Sequence, residues 1–199
     1  MRKLVLALLA IIIIGAGVFF FFFNDDKKEG AGKELQALAI SEENSAFNAS
    51  FTPMLNAYYA MKDAFVAADT AQINLSALDL IQKTESLNVE EIRGDSSGLI
   101  RETAGHFAAT IIGSARGIMG EQDIEEKRRE LEIISDALWS LSRTVKYDGQ
   151  KIYYQFCPMA FDDKGAYWLS SSSAIRNPYF GDKMLTCGTV QDSIDYSVR

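Results

Sequence analysis

The residues of this chain best suited to chemistry are two cysteines and two methionines near its carboxyl end. Cys157-Pro158-Met159 and Met184-Leu185-Thr186-Cys187 each set a thiol close to a thioether. In an extended segment residues i and i+2 point to the same side, so Cys157 and Met159 are expected to converge. In a turn i and i+3 converge, which serves Met184 and Cys187. Two such pairs would suit a soft monovalent ion, Cu(I) or Ag(I), because thiolates and thioethers select soft ions. Zinc fits less well, since methionine is not among its usual ligands and the chain has one histidine, His106. The same residues allow a second reading, a Cys157–Cys187 disulfide. Closing a loop of about 30 residues would stabilise the fold by about 3–4 kcal/mol, with Met159 and Met184 as core filling. On residues alone both readings stand.

Other chemistries find little support. A single histidine excludes any mechanism that needs two imidazoles. Gly94-Asp95-Ser96-Ser97-Gly98 fits the G-x-S-x-G pattern, but charged Glu90, Glu91 and Arg93 precede it where a buried strand is required. It reads as a turn whose serines cap a helix. Asn48-Ala49-Ser50 and Asn74-Leu75-Ser76 match the glycosylation pattern by chance, inside helices. No phosphate-cradling glycine loop or cofactor fingerprint is present, and the chain reads as no enzyme. The net charge is −7, and the first 28 residues are the less acidic part. Such a body repels phosphate backbones, so nucleic acid is not an expected partner.

The elements that must position these sulfurs follow from the pattern of apolar residues, which make up 48% of the chain and so can build a core. Leu4 to Phe23 is an apolar run of about twenty residues behind Arg2 and Lys3, long enough to cross a bilayer as one helix. It ends on five phenylalanines with no small-residue cleavage site, so residues 1–23 read as an uncleaved signal anchor. The basic residues at the start keep that end cytoplasmic. The body is then expected in the periplasm, single-pass on the inner membrane, where disulfides persist. Residues 24–44 read as a linker, 45–190 as one domain and 191–199 as a tail.

Within the domain four helices are expected. The first carries Phe51, Met54, Leu55, Tyr58, Met61, Phe65 and Ala68 at helical steps, with Pro53 in its first turn. Thr70 is the expected N-cap of the second. The third runs through Ile100, Phe107, Ile111 and Ile118, and the fourth from about Glu121 to Lys146 with a Glu125–Arg129 pair on its wet face. Gly105, Ala109, Gly113 and Gly117 form a strip on the third helix that predicts close approach of a neighbouring helix, at about 1 kcal/mol per glycine. His106 lies about 120° from that helix's apolar centre, beside the strip. After Tyr147-Asp148-Gly149 come two short strands, 151–156 and 166–169, and an irregular stretch over 177–188. The expected fold is mainly α, a four-helix bundle with a small C-terminal β-containing cap, preceded by one N-terminal transmembrane helix.

Three stretches of the cap have a recognisable wording: Tyr154-Gln155-Phe156-Cys157-Pro158-Met159-Ala160, then Gly165-Ala166-Tyr167-Trp168-Leu169-Ser170, then Ile175-Arg176-Asn177-Pro178-Tyr179-Phe180-Gly181-Asp182-Lys183-Met184-Leu185-Thr186-Cys187-Gly188. From Phe47 to Val190 the chain resembles a bacterial domain of unknown function that occurs alone in envelope proteins and at the carboxyl end of copper/silver efflux adaptor (membrane-fusion) proteins. The resemblance implies a helical domain associated with heavy-metal handling, with efflux adaptor or pump proteins as partners. It implies Cys157, Met159, Met184 and Cys187 as the metal ligands, with His106 as a fifth. The chain lacks the barrel, lipoyl-like and hairpin regions of the adaptors, which argues against a pump subunit.

Overall fold

The computed structural model describes residues 45–197. The signal anchor at 1–23 and the linker at 24–44 lie outside the described residues. Among those described, no helix is long and apolar enough to cross a membrane. The described chain is mainly helical. Five helices, the last a single turn, are joined by a three-stranded antiparallel sheet at the carboxyl end.

Helix α1 (Ser45–Val66) buries Phe47, Phe51, Met54, Tyr58, Met61 and Phe65, recurring at three- and four-residue steps. Pro53 sits well inside it rather than in its first turn, because the helix begins eight residues earlier. The proline faces solvent, where water can take the Ala49 carbonyl that its ring leaves without a donor. Helix α2 (Thr70–Glu85) is capped by Asp69, not Thr70: the Asp69 carboxylate accepts from the Gln72 N–H at 3.0 Å. A carboxylate at that position also meets the positive end of the helix.

Helix α3 (Leu99–Gly120) starts beyond a left-handed Gly98, and its capping group is a carboxylate from the preceding turn. Asp95 Oδ2 accepts from the Arg101 N–H at 2.9 Å, and the Ser97 hydroxyl donates to Asp95 while accepting from Leu99 N–H. The turn therefore caps the helix as expected, with the aspartate as its centre. Burial pushes the Asp95 carboxyl up, but the N–H groups of Arg101 and Ile100, the Ser97 hydroxyl and the Arg101 charge outweigh it and hold it below the usual carboxylate value. A depressed native value means that this stabilisation is present above the unfolded carboxyl's value, about 3.9, and is lost as pH falls through the native one. Asp95→Ala is accordingly expected to lower the unfolding free energy by about 1–2 kcal/mol at neutral pH. Urea unfolding at pH 7 and at pH 3 checks this: the gap between parent and variant must shrink at the lower pH.

Helix α4 (Ile124–Thr144) is capped by Asp123, whose carboxylate accepts from Glu125 and Glu126 N–H. Its ion pairs fall at i,i+3, Arg128–Glu125 and Arg129–Glu126, in place of the expected Glu125–Arg129. Arg128 is turned inward, and its Nε donates to the Pro178 carbonyl at 3.1 Å. That takes Glu125 with it.

Each helix packs chiefly on its chain neighbours, α1 on α2, α2 on α3, α3 on α4. Most of the glycine strip of α3 is not part of that packing. A Cβ at Gly105 or Gly113 would meet nothing within 4 Å, and only Gly117 is held close, against the Glu130 side chain of α4. The strip faces outward because Ile100, Ala104, Ile111, Ala115 and Ile118 occupy the opposite, buried side.

The sheet runs β2–β1–β3, with β1 (Ile152–Cys157) paired antiparallel to β2 (Ala166–Ser170) and β3 (Thr189–Ile194). Helix α5 (Ala160–Asp163) is the single turn between β1 and β2. Strand β3 crosses the boundary at which the sequence suggests a tail. Four of its six residues are exposed, so it lacks the apolar alternation that announces a strand. It is recruited by backbone pairing with β1, with an irregularity between Tyr154 and Gln155.

Strand β2 lies on α4 and α1. On the bundle side the Trp139, Tyr154 and Tyr167 rings stack at 4.5 and 4.4 Å, nearly parallel, and Tyr154 donates its hydroxyl hydrogen to Asp136 at 2.8 Å. Tyr58, fully buried in α1, accepts from Leu169 N–H at 3.0 Å and shares a hydrogen bond with Ser135 at 2.7 Å. These contacts lock the sheet to both helices.

Candidate functional site

The site is built on the other face of the sheet. Gln155 and Cys157 alternate onto that face of β1, and Trp168 and Ala166 pair with them from β2. All four are fully buried. The irregular segment 171–188 folds over them. Gln155 Nε2 donates to the Ser172 and Ala174 carbonyls at 2.9 and 3.3 Å, and Tyr179 meets Trp168 edge-on at 6.0 Å.

Asn177, fully buried, organises the segment. Its Oδ1 accepts from Tyr179 N–H at 2.8 Å and Phe180 N–H at 3.3 Å, its N–H donates to Leu185, and its Nδ2 donates to the Cys187 carbonyl at 2.8 Å. One side chain thus closes the loop on itself and fixes the backbone at Cys187. Within this segment Gly181 and Gly188 are the positions where glycine is required. Gly181 has φ +54°, and a Cβ there would stand 2.7 Å from the Val66 carbonyl oxygen at the end of α1. Gly188 has φ +143° and would meet the Phe156 carbonyl and the Trp168 ring, each at 2.8 Å.

This packing brings the two thiols together. Cys157 Sγ, buried at the end of β1, lies 3.2 Å from Cys187 Sγ, which is half-buried; both are free thiols. Cys157 beside it, together with burial, pushes the Cys187 thiol up from its ordinary value. Two thiolates on one tetrahedral ion with metal–sulfur bonds near 2.3 Å would stand about 3.8 Å apart, so the pair needs to open by only about half an ångström.

The thioethers are placed differently. Strand β1 ends at Cys157, and Pro158-Met159 enters a turn, so the i, i+2 alternation that would align Met159 with Cys157 does not continue. Phe161, Asp162 and Asp163 then adopt left-handed conformations with φ from 53° to 64°, each sterically costly for a residue with a Cβ. Met159 and Met184 are 44% and 37% exposed, and both line a cavity of about 450 Å³. Glu125, Arg129, Phe161, Asp162 and Asp163 are among its other lining residues, and neither cysteine is. Met184 is nonetheless tied to the thiol pair, since Cys187 N–H donates to the Met184 carbonyl at 3.0 Å.

His106 is not brought to the sulfurs. It stands on the open side of α3 with its side chain 78% exposed, 3.9 Å from Glu102. Among the described residues no group of three or more His, Cys, Asp or Glu side chains could hold a metal ion.

The residues that frame the thiol pair, Gln155, Trp168, Asn177 and Gly188, were not singled out by the sequence pattern. Asn177-Pro178 was the available signal, since Asn before Pro favours a turn whose side chain bonds its own backbone.

A family described as "Protein of unknown function (DUF3347)" matches residues 54–149. That stretch holds most of the helical bundle and ends before β1, so it supports a domain of unknown function there and assigns no activity. No curated protein and no solved structure matches the chain.

Proposed function

We propose that this chain is a membrane-anchored periplasmic domain that binds or relays a soft monovalent ion, Cu(I) or Ag(I), next to an efflux system. Cys157 and Cys187 are its anchoring ligands, and Met184 and Met159 complete the sulfur set. One observation carries the reading: two free thiols from distant parts of the chain lie 3.2 Å apart, one fully buried and one half-buried. A soft ion prefers such donors, and thioethers are weak but matching additions. Met159 and Met184 on one cavity wall support the relay, since they are solvent-facing residues two and three positions along the chain from the better-shielded thiols.

Placement in the inner membrane rests on the apolar run 4–23 and its flanking charges. The association with efflux adaptor or pump proteins rests on the wording of the cap alone. The role proposed is binding without catalysis.

The same sulfur separation favours a second reading, in which a Cys157–Cys187 disulfide staples an interaction module. Counting reactive thiols on the unfolded full-length chain, purified without reductant, separates the two. Two thiols fit the metal site, and none fits the staple. On the reduced full-length chain, Cu(I) titrated against a competing chelator is expected to show about one ion bound, more weakly after Met159→Ala with Met184→Ala. If the double variant binds as tightly as the parent, the thioethers are not ligands and the site is the thiol pair alone.

A further inference from the structure

We propose that the outward face of α3 (Leu99–Gly120) is a self-association surface, on which a second copy of this chain packs its own α3 antiparallel about a two-fold axis at Ala109. Among the described residues, nothing packs against the glycines at the middle of this face. Gly105, Ala109 and Gly113 are exposed along it, and added Cβ atoms at the two glycines would touch nothing within 4 Å among the described residues. Glycine costs about 1 kcal/mol relative to alanine at each such position, and packing among the described residues returns nothing for it.

What selects a second copy is the arrangement of charge and apolar side chains around Ala109. In an antiparallel pair, a residue a given number of positions before the axis meets the residue that many positions after it on the partner. Glu102 and Arg116 stand seven positions either side of Ala109, so each Glu102 would face the other copy's Arg116, twice per dimer. Gly105 and Gly113 stand four either side, which lets the two backbones approach at both crossings. Leu99 and Met119 stand ten either side, and they are the helix's two large apolar side chains left exposed, at 52% and 40%. The register therefore joins opposite charges, small with small, and apolar with apolar.

The groups facing this surface are compatible. Arg116 holds Glu85 of α2 at 3.1 Å, and Glu102 lies 3.9 Å from His106. Arg116 would bridge Glu85 and the incoming Glu102, as a guanidinium with five donors can. One helix of this length, about 33 Å, gives an interface at the small end of the specific class, so a dimer dissociating in the micromolar range is expected.

Charge reversal and its compensation test the register. Sedimentation equilibrium of the full-length chain in detergent, with the detergent density-matched, should show a dimer for the parent. Glu102→Arg and Arg116→Glu should each weaken it at least about tenfold, because each reversal converts both symmetric contacts to repulsion. The double variant Glu102→Arg with Arg116→Glu should recover the parental dimer, since the pairs are restored in reverse. Ala109→Trp, exposed in the single chain, should abolish the dimer while leaving the unfolding midpoint near the parent's. A parent that stays monomeric at 100 μM overturns the proposal. So does a dimer that the single reversals leave unchanged, or one that the double variant fails to restore. None of these outcomes depends on the sulfur site.

Discussion

Gly188→Ala is expected to destabilise the protein by about 3–5 kcal/mol. Two costs add. A φ of +143° is strained for any residue with a Cβ, and the new methyl would stand 2.8 Å from both the Phe156 carbonyl oxygen and the Trp168 ring. Neither neighbour can yield. Phe156 is held in β1 by pairing on both sides, to Tyr167 and Thr189, and Trp168 is fully buried against Tyr179. The methyl can be relieved only by lifting the segment that carries Cys187, so the thiols must separate as stability falls. Guanidinium unfolding gives the stability, and the rate of Cys157–Cys187 disulfide formation under mild oxidant reports the separation. A loss under 1 kcal/mol with unchanged oxidation would mean that the segment does not pack on β1 as described.

Replacing both cysteines, Cys157→Ser with Cys187→Ser, is expected to lower Cu(I) affinity by more than 100-fold. Loss of an outer-shell partner already costs 10–100-fold at metal sites, and these are the proposed first ligands. Affinity should also rise with pH through the neutral range. A thiol must lose its proton to bind, and the Cys187 thiol is held above its ordinary value by Cys157 and by burial. Chelator competition at pH 6 and pH 8 checks the sign: the parent should bind more tightly at pH 8, and the double serine variant should show no such slope. Equal parental affinity at both values would exclude thiolate ligation.

The helical part of this fold is legible in the sequence because its apolar residues recur at steps that no other element satisfies. Phe51, Met54, Tyr58, Met61 and Phe65 announce α1, and all five prove fully buried. Helix ends are less legible than interiors. Asp69 took the cap expected of Thr70, and Pro53 proved interior, since a proline on an exposed helix face leaves the apolar period unbroken. The glycine strip misled for a specific reason: spacing shows which residues share a face, and cannot say whether that face is covered. Strand β3 was invisible because an edge strand exposed along most of its length carries no alternation.

The sulfur site was half legible. Spacing suggested that the Cys157 and Cys187 side chains face one another, and their sulfurs lie 3.2 Å apart. It could not show that β1 stops at Cys157, so that Met159 leaves the strand's alternation and lines a cavity with Met184. Nor could it show that Asn177 bonds the Cys187 carbonyl, because that contact depends on a loop with no period to read.

X-ray absorption at the copper edge of the reduced full-length chain, loaded with one equivalent of Cu(I), tests the proposed site most directly. The first shell should be made of sulfur alone and should lose scatterers when Cys157 and Cys187 are replaced by serine. A shell of nitrogen and oxygen, or one that the cysteine replacements leave unaltered, would contradict the proposed site.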